Sequence, residues 1–261
     1  MDLGLKNKNA AITGSSQGIG FAIAEALAKE GCNVAISARD TARLNAARDK
    51  LAAHGTKVIA ITADFSSEGG CQGFVDEVAK QFESIDILIN NVGGMIPGTL
   101  ESLTSADWER VLNVNLMAAV YTTKHALPHL KKAGKSRILN VSGVSGKQLL
   151  PGSLTTTIPN AGIIGFSKVM AAELGAAGIT VNNICPGLTN TESWSPRAEA
   201  MAKVRGVTAD DVRKAIASQT LLGRWAEPQE IGDVAAFLVS DKNSYMTGTT
   251  VEVCGGFNRY I

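Results

Sequence analysis

Paired cysteines are missing from this sequence. The 261 residues include four cysteines, Cys32, Cys71, Cys185 and Cys254, with no CxxC spacing among them. Neither a disulfide framework nor a thiolate metal site is expected, and the thiols read as reduced core or near-surface groups. Histidine is scarce as well: His54, His125 and His129 are all there is. His125 and His129 share a helical face at i,i+4, but no carboxylate or thiol falls nearby at ligand spacing, so no metal is expected. No segment approaches the ~20 apolar residues of a membrane helix. Met1 to Lys8 lacks the apolar run of a signal peptide. A cytoplasmic protein with no membrane partner is the expectation. Neither sign of charge dominates, since 25 Lys and Arg against 24 Asp and Glu leave +1. That excludes the basic tract of a nucleic-acid binder or a polybasic anchor.

What is present is alternation. With 45% hydrophobic and 19% charged residues the chain can bury a large core. β-rich runs at Ala10–Thr13, Asn33–Ser37, Lys57–Thr62, Asp86–Asn90, Ser136–Ser142, Thr180–Ile184 and Thr250–Val253 alternate with helical patterns. The helices are expected at Gly18–Glu30, Thr41–His54, Glu68–Phe82, Ser105–Lys132, Thr157–Ala177 and Pro228–Ser240. Such alternation predicts βαβ units, hence a parallel, doubly wound, seven-stranded α/β sheet with helices on both faces. No linker or repeat interrupts it, so residues 1–261 read as one domain. Only residues 188–222 break the rhythm, with short helical patterns at Ser195–Val204 and Thr208–Ser218. An insertion after a strand's carboxyl end lies where open α/β sheets bind ligands, and it is expected to form a substrate lid. Trp194, Met201, Val204 and Val207 there, with Arg197, Lys203 and Arg205 interspersed, mostly suit packing. Leu149, Leu150 and Leu154 are expected to add an apolar wall.

The first strand runs into Gly14-Ser15-Ser16-Gln17-Gly18-Ile19-Gly20 and then a helix. Gly14 permits a tight turn, Gly18 lets the backbone approach a pyrophosphate, and Gly20 lets the helix pack close to the strand. The phosphate then meets free N–H groups at the helix N-terminus. This is a Rossmann-type dinucleotide loop in its confirming context. The second strand ends Ser37-Ala38-Arg39-Asp40. Arg39 suits a ribose 2′-phosphate through its forked donors, favouring NADP(H) over NAD(H). Asp40 either caps the next helix or serves as the acid that holds a ribose 2′-hydroxyl.

These residues closely resemble the short-chain dehydrogenase/reductase family along the whole chain. The resemblance implies cofactor contacts from Gly14, Ser16, Gln17, Gly18, Ile19 and Gly20. It adds Asp64 and Phe65 at the adenine, and Asn91, Val92 and Gly93 from the strand-end motif Asn90-Asn91-Val92-Gly93. Pro186, Gly187 and Thr191 would hold the nicotinamide carboxamide, and Asn160 would keep a bond to the ribose. Asn115 matches a helix asparagine that anchors a water in the family's proton relay. Gly223-Arg224-Trp225, Glu227-Pro228, Thr247-Gly248 and Gly255-Gly256 are also typical. The resemblance further implies a homo-oligomer, dimer or tetramer, or a mixed oligomer with a homologue, acting on a small-molecule substrate.

The family's chemistry uses a Ser and a YxxxK pair: Tyr as general acid–base, Lys to lower its pKa, Ser to orient the carbonyl. By register these positions are Gly143, Thr156 and Asn160. The tyrosines, Tyr121, Tyr245 and Tyr260, offer no rearranged copy. Thr156 is no substitute acid, since an alcohol's pKa lies far above the ~10 of a phenol. Pro159 disfavours helical geometry at Ile158, so the helix is expected to begin near Pro159–Asn160. Three readings follow. The chain is an oxidoreductase whose proton comes from Ser142, Ser145, Lys147, the Thr155–Thr157 hydroxyls or a water held by Asn115. Alternatively it is an isomerase, lyase or cyclase on the same scaffold, or a non-catalytic partner subunit of an active homologue.

Overall fold

The computed structural model describes residues 2–148 and 152–258. Its strands are β1 (Asn9–Ile12), β2 (Asn33–Ala38), β3 (Val58–Thr62), β4 (Ile87–Asn90), β5 (Ser136–Val141), β6 (Ile179–Pro186) and β7 (Thr250–Val253). All pair parallel, in the order β3-β2-β1-β4-β5-β6-β7. The register places Ile12 beside Ile36 on one side and Ile89 on the other. The inner strands are apolar on both faces because helices cover both. On one side β1 and β2 residues such as Ile12, Val34 and Ile36 pack with Ile23 and Leu27 of α1 (Gly18–Lys29) and Ile231 and Leu238 of α9 (Pro228–Val239). On the other, Leu88 and Ile138 pack with Phe74 and Val78 of α3 (Glu68–Gln81) and Ala126 and Leu130 of α5 (Ala118–Ala133). Phe74 is fully buried, worth about 1.5–3 kcal/mol in transfer from water.

The remaining helices are α2 (Thr41–Ala52), α4 (Ser105–Leu112), α6 (Leu154–Leu174), α7 (Trp194–Arg205) and α8 (Ala209–Ala217). Among the described residues no helix is long and apolar enough to cross a membrane. Strand order reverses between β1 and β4: the chain winds outward to β3, then crosses back to start β4 beside β1. That reversal opens a crevice at the carboxyl ends of β1 and β4, the ligand site of this architecture.

Two expected helices differ from the structure. The pattern Ser105–Lys132 is not one helix but α4, a π-helical turn at Asn113–Met117, and α5. The apolar spacing is continuous through the turn, so periodicity alone does not reveal the extra residue. Second, α6 starts at Leu154, ahead of both Thr157 and Pro159, and carries the buried Pro159 in its second turn. Proline has no N–H for the carbonyl of Thr155, four residues back. The Asn115 amide reaches that carbonyl instead, 3.4 Å away.

Residues 188–226 form a unit of their own. Ala198, Ala202, Val212 and Ile216 are buried together, with Trp194, Met201 and Trp225 against them. The segment is stitched to the approach to α9 by Ala226 N–H to the Leu188 carbonyl and Asn190 N–H to the Ala226 carbonyl. Val204 and Val207 are exposed instead of packed.

Candidate active site

A groove runs across the carboxyl ends of β1, β2 and β4. Gly14, Ser16, Gln17, Gly18, Ile19 and Gly20 line it, with Arg39, Asp64, Phe65, Asn91, Val92, Gly93 and Thr191. Gly14 turns the chain at φ +64, a conformation that disfavours side chains. At Gly20 a Cβ would strike the Gly14 carbonyl and the Asn91 amide, and would lie 3.0 Å from Ser15 Cα. Asn91 fixes this loop, donating through Nδ2 to the carbonyls of Thr13 (3.0 Å) and Gly14 (2.8 Å). Thr13 Oγ1 in turn accepts from the N–H groups of Asn91 and Val92. The loop is therefore held open by hydrogen bonds, with the start of α1 directed at the groove.

At the far end of the groove, Asp40 caps α2 by accepting from the Arg43 N–H at 3.0 Å. It also pairs with the Arg43 guanidinium at 3.5 Å. Arg43 donates to Gln17 Oε1 at 2.8 Å and lines the groove beside Arg39. Sequence reasoning missed Arg43, which stands in the first turn of α2, just after the Arg39-Asp40 turn. Asp64 accepts from the Ser66 N–H at 3.0 Å, while Phe65 is buried edge-on against Phe74.

The groove opens into a second cavity of about 280 Å³ that shares Ile19, Asn91, Val92, Gly93, Thr191 and Ser193 with it. Asn115, Ser142, Thr156, Asn160, Gly187, Trp194 and Arg197 complete its working wall. Thr156 and Asn160 stand one turn apart on α6 and both reach the cavity. Thr156 Oγ1 donates to the Ser153 carbonyl at 3.0 Å, so its single hydroxyl hydrogen is committed. Asn160 Nδ2 donates to Ser145 Oγ at 2.9 Å. Gly143 faces the same amide: a Cβ there would lie 2.9 Å from Asn160 Nδ2. The three positions singled out by register thus converge in space.

The other candidates either lie off the cavity or line it with their polar groups already engaged. Lys147 is bound to Glu252, a salt bridge that raises its pKa, and it does not line the cavity. Burial works against the Glu252 carboxylate, yet Lys147 and Asn258 hold its pKa below the ordinary value. Ser142 lines the cavity, but its hydroxyl accepts from Asn183 Nδ2 at 2.9 Å and sits 3.0 Å from Cys185 Sγ. Burial pushes the Cys185 thiol up. Thr155 and Thr157 are turned away: Thr155 Oγ1 donates to the Ile96 carbonyl at 2.7 Å, and Thr157 Oγ1 meets Ser153 Oγ at 2.8 Å. The Asn115 side chain is not open to a water. Its oxygen accepts from Gly94 N–H and its nitrogen donates to the Gly94 carbonyl, both at 2.7 Å. Pro186 is buried at the end of β6 and only Gly187 reaches the cavity. Leu154 does not line the cavity either, and Leu149 and Leu150 lie outside the described residues. His125 meets Glu68 at 3.1 Å, on the outside of α5.

Among the described residues lining this cavity, Arg197 is the only ionisable one. No carboxylate, histidine, lysine, cysteine or tyrosine is among the described residues that line it.

Comparison with known proteins agrees with the geometry. Residues 14–258 match a family model described as enoyl-(acyl carrier protein) reductase. The chain is 32% identical over 256 residues to the (2S)-[(R)-hydroxy(phenyl)methyl]succinyl-CoA dehydrogenase subunit BbsD of Thauera aromatica, covering 97% of this chain and 98% of that one. It is 32% identical over 251 residues to a 3-oxoacyl-(acyl-carrier-protein) reductase of Staphylococcus epidermidis, covering 96% and 98%. In structure it matches L-sorbose reductase from Gluconobacter frateurii, solved with NADPH and L-sorbose. The TM-score is 0.97 and the identity 31%, with 100% of both chains covered.

Proposed function

The chain belongs to the short-chain dehydrogenase/reductase family, and from that premise we propose that it is an NADP(H)-dependent oxidoreductase of carbonyl or alcohol groups that works without a Ser–Tyr–Lys set. The observation that carries the reading is the glycine-lined groove at the β1/β4 reversal, with Arg39 and Arg43 at one end and a polar cavity at the other. Bound there, NADP(H) supplies or takes the hydride. The pyrophosphate belongs over the Gly14–Gly20 loop and the start of α1. The 2′-phosphate belongs at Arg39 and Arg43, whose guanidinium groups supply paired donors. Asp40 is committed to capping α2 and pairing with Arg43, which disfavours the alternative role as acceptor of a free ribose hydroxyl. Asp64, Phe65, Asn91, Val92, Gly93, Gly187 and Thr191 then line the adenine and nicotinamide parts of the path, and Asn160 stands where the ribose bond is expected.

Gly143, Thr156 and Asn160 occupy the places of the family's Ser, Tyr and Lys. Thr156 and Asn160 on one cavity, with Gly143 against the Asn160 amide, support that register. Thr156 Oγ1, its hydrogen committed to the Ser153 carbonyl, accepts from a solvent water whose second O–H faces the substrate oxygen. That water gives its proton to the oxygen as hydride arrives, the hydroxide left being neutralised by solvent, and in the reverse direction solvent takes the alcohol proton by the same path. Such a relay has no phenol to titrate, so its pH profile lacks the inflexion of a Tyr–Lys pair. Residues 188–222 act as the substrate lid, and one domain, 1–261, holds both sites.

Calorimetric titration of the cofactor-free protein with NADPH and NADH tests this. Tight NADPH binding with weak NADH binding is the expected result. Binding of neither sinks the proposal and leaves a partner-subunit role.

A further inference from the structure

Arg197 and Arg39 are the two cations lining the groove and the cavity beside it that make no hydrogen bond or ion pair among the described residues; Arg39 is exposed at the dinucleotide end, whereas Arg197 is half-buried in the cavity. Arg43 is bonded to Gln17, Lys147 to Glu252, and Arg213 to Asn190 Oδ1 at 2.6 Å. Arg197 makes no hydrogen bond or ion pair among the described residues, yet it lines the cavity and is half-buried. Burial pushes its pKa below the ordinary value, a sign that water solvates it incompletely. Its side chain is nevertheless held in place. The guanidinium lies 5.4 Å from the centre of the Trp194 ring, one turn back on α7. Trp194 packs edge-on against Trp225 at 4.8 Å. Trp225 is pinned by its Nε1–H to the Arg213 carbonyl at 3.1 Å, and the Arg213 guanidinium lies 4.7 Å from its ring centre. This row of stacked side chains fixes one face of Arg197 and leaves its fork of N–H donors unused.

A rigid, incompletely solvated guanidinium with a free fork matches the two oxygens of a carboxylate. The first turn of α7 carries no acidic residue to compete. Of the acids nearby in the chain, Glu199 is exposed and does not line the cavity, and Glu192 lines the dinucleotide groove and not this cavity. One cation with no second one beside it balances a single negative charge, which fits a carboxylate better than a doubly charged phosphate. The volume of about 280 Å³ is at the small end of ligand pockets.

We infer that Arg197 binds the carboxylate of the substrate, and that the substrate is a small, singly charged oxo acid or the hydroxy acid it becomes. The inference rests on the proposed function, since it takes Thr156 and Asn160 as the reacting end of the cavity. It makes Arg197 the specificity-determining residue: the carboxylate at Arg197 sets which carbonyl faces Thr156.

The test uses calorimetry on protein with and without saturating NADP+. The probes are 2-oxobutanoate, levulinate and phenylglyoxylate, each against its uncharged methyl ester. At least one acid is expected to bind about tenfold or more tightly than its ester, as a charge-assisted pair requires. Arg197→Met should remove that preference and leave NADPH affinity within about twofold. Arg197→Lys, which keeps the charge and loses the fork, should bind acids more weakly than wild type, and it carries the test should Arg197→Met not fold. Three results overturn the inference: equal binding of every acid and ester, undiminished acid binding by Arg197→Lys, or a loss of NADPH affinity in Arg197→Met as large as the loss of acid affinity. The last would mean that the guanidinium serves the cofactor phosphates. If wild-type protein binds acids but not NADPH, the proposed function fails and the carboxylate site stands. If it binds NADPH but no acid, only the carboxylate site fails.

Discussion

Asn115 Nδ2 donates to the carbonyl of Thr155 at 3.4 Å, the carbonyl that Pro159 leaves without a helical partner. One buried amide therefore completes the first turns of α6 and at the same time clamps Gly94, through bonds of 2.7 Å to both its N–H and its carbonyl. The loop after β4 and the helix carrying Thr156 and Asn160 are tied by this residue.

Removing that tie is costly. Asn115→Ala leaves the Thr155 carbonyl and both Gly94 groups to find other partners, and a buried unsatisfied group costs about 1–3 kcal/mol. The expected stability loss is of that size in chemical denaturation. Pro159→Ala in the same background returns an N–H to the Thr155 carbonyl, so part of the loss should be recovered. A double-mutant cycle with strictly additive effects would contradict the link between Asn115 and Pro159.

Gly143 and Asn160 are coupled in the same way. A methyl group at 143 would press on Asn160 Nδ2 from 2.9 Å and displace it from Ser145. Gly143→Ala should cost about 1–3 kcal/mol, the usual range for overpacking. The cost should fall when Asn160 is also alanine. Equal costs in the two backgrounds would mean that the amide moves aside freely.

Cofactor choice depends on the two arginines at the end of the groove. Arg39→Ala with Arg43→Ala should weaken NADPH about 10- to 100-fold, the worth of one or two charged hydrogen bonds, and leave NADH nearly unchanged. A parallel loss for both nucleotides, measured calorimetrically, would place the arginines on a shared part of the cofactor.

Acid sensitivity has a local source. Arg224 and the Glu227 N–H together pull the Glu230 pKa from 4.5 down to about 2. A carboxylate with a depressed folded pKa stabilises above its unfolded value, and that contribution is lost as pH falls through the folded one. Glu230→Gln should therefore lower the melting temperature at neutral pH. The gap from wild type should close between about pH 4.5 and 2. A gap independent of pH would show that the cap geometry matters and the charge does not.

The seven parallel strands and the glycine loop were legible in the sequence because both are local. Strand-turn-helix chemistry at Gly14–Gly20 needs only neighbouring residues, and the β7 bounds Thr250–Val253 agree with the pattern to the residue. Asp40 was left between two roles. Only the folded turn, with Arg43 N–H on its carboxylate, shows it capping α2.

What tertiary structure decided was the fate of side chains whose partners lie far along the chain. Lys147 reads as a free loop cation until Glu252, 105 residues on, binds it. The start of α6 was misjudged because the rule that proline ends a helix assumes an orphaned carbonyl, and here Asn115 of another helix satisfies it. Arg197 reads in the sequence as one of several cations interspersed in residues 188–222. Its position depends on Trp194 and Trp225 stacking across two segments of the unit at 188–226. The sequence by itself determined the sheet, its winding and the groove at its reversal, since periodicity and glycine spacing act over a few residues. Which polar groups in that groove remain unpaired was decided only when distant segments met and consumed one another's hydrogen bonds.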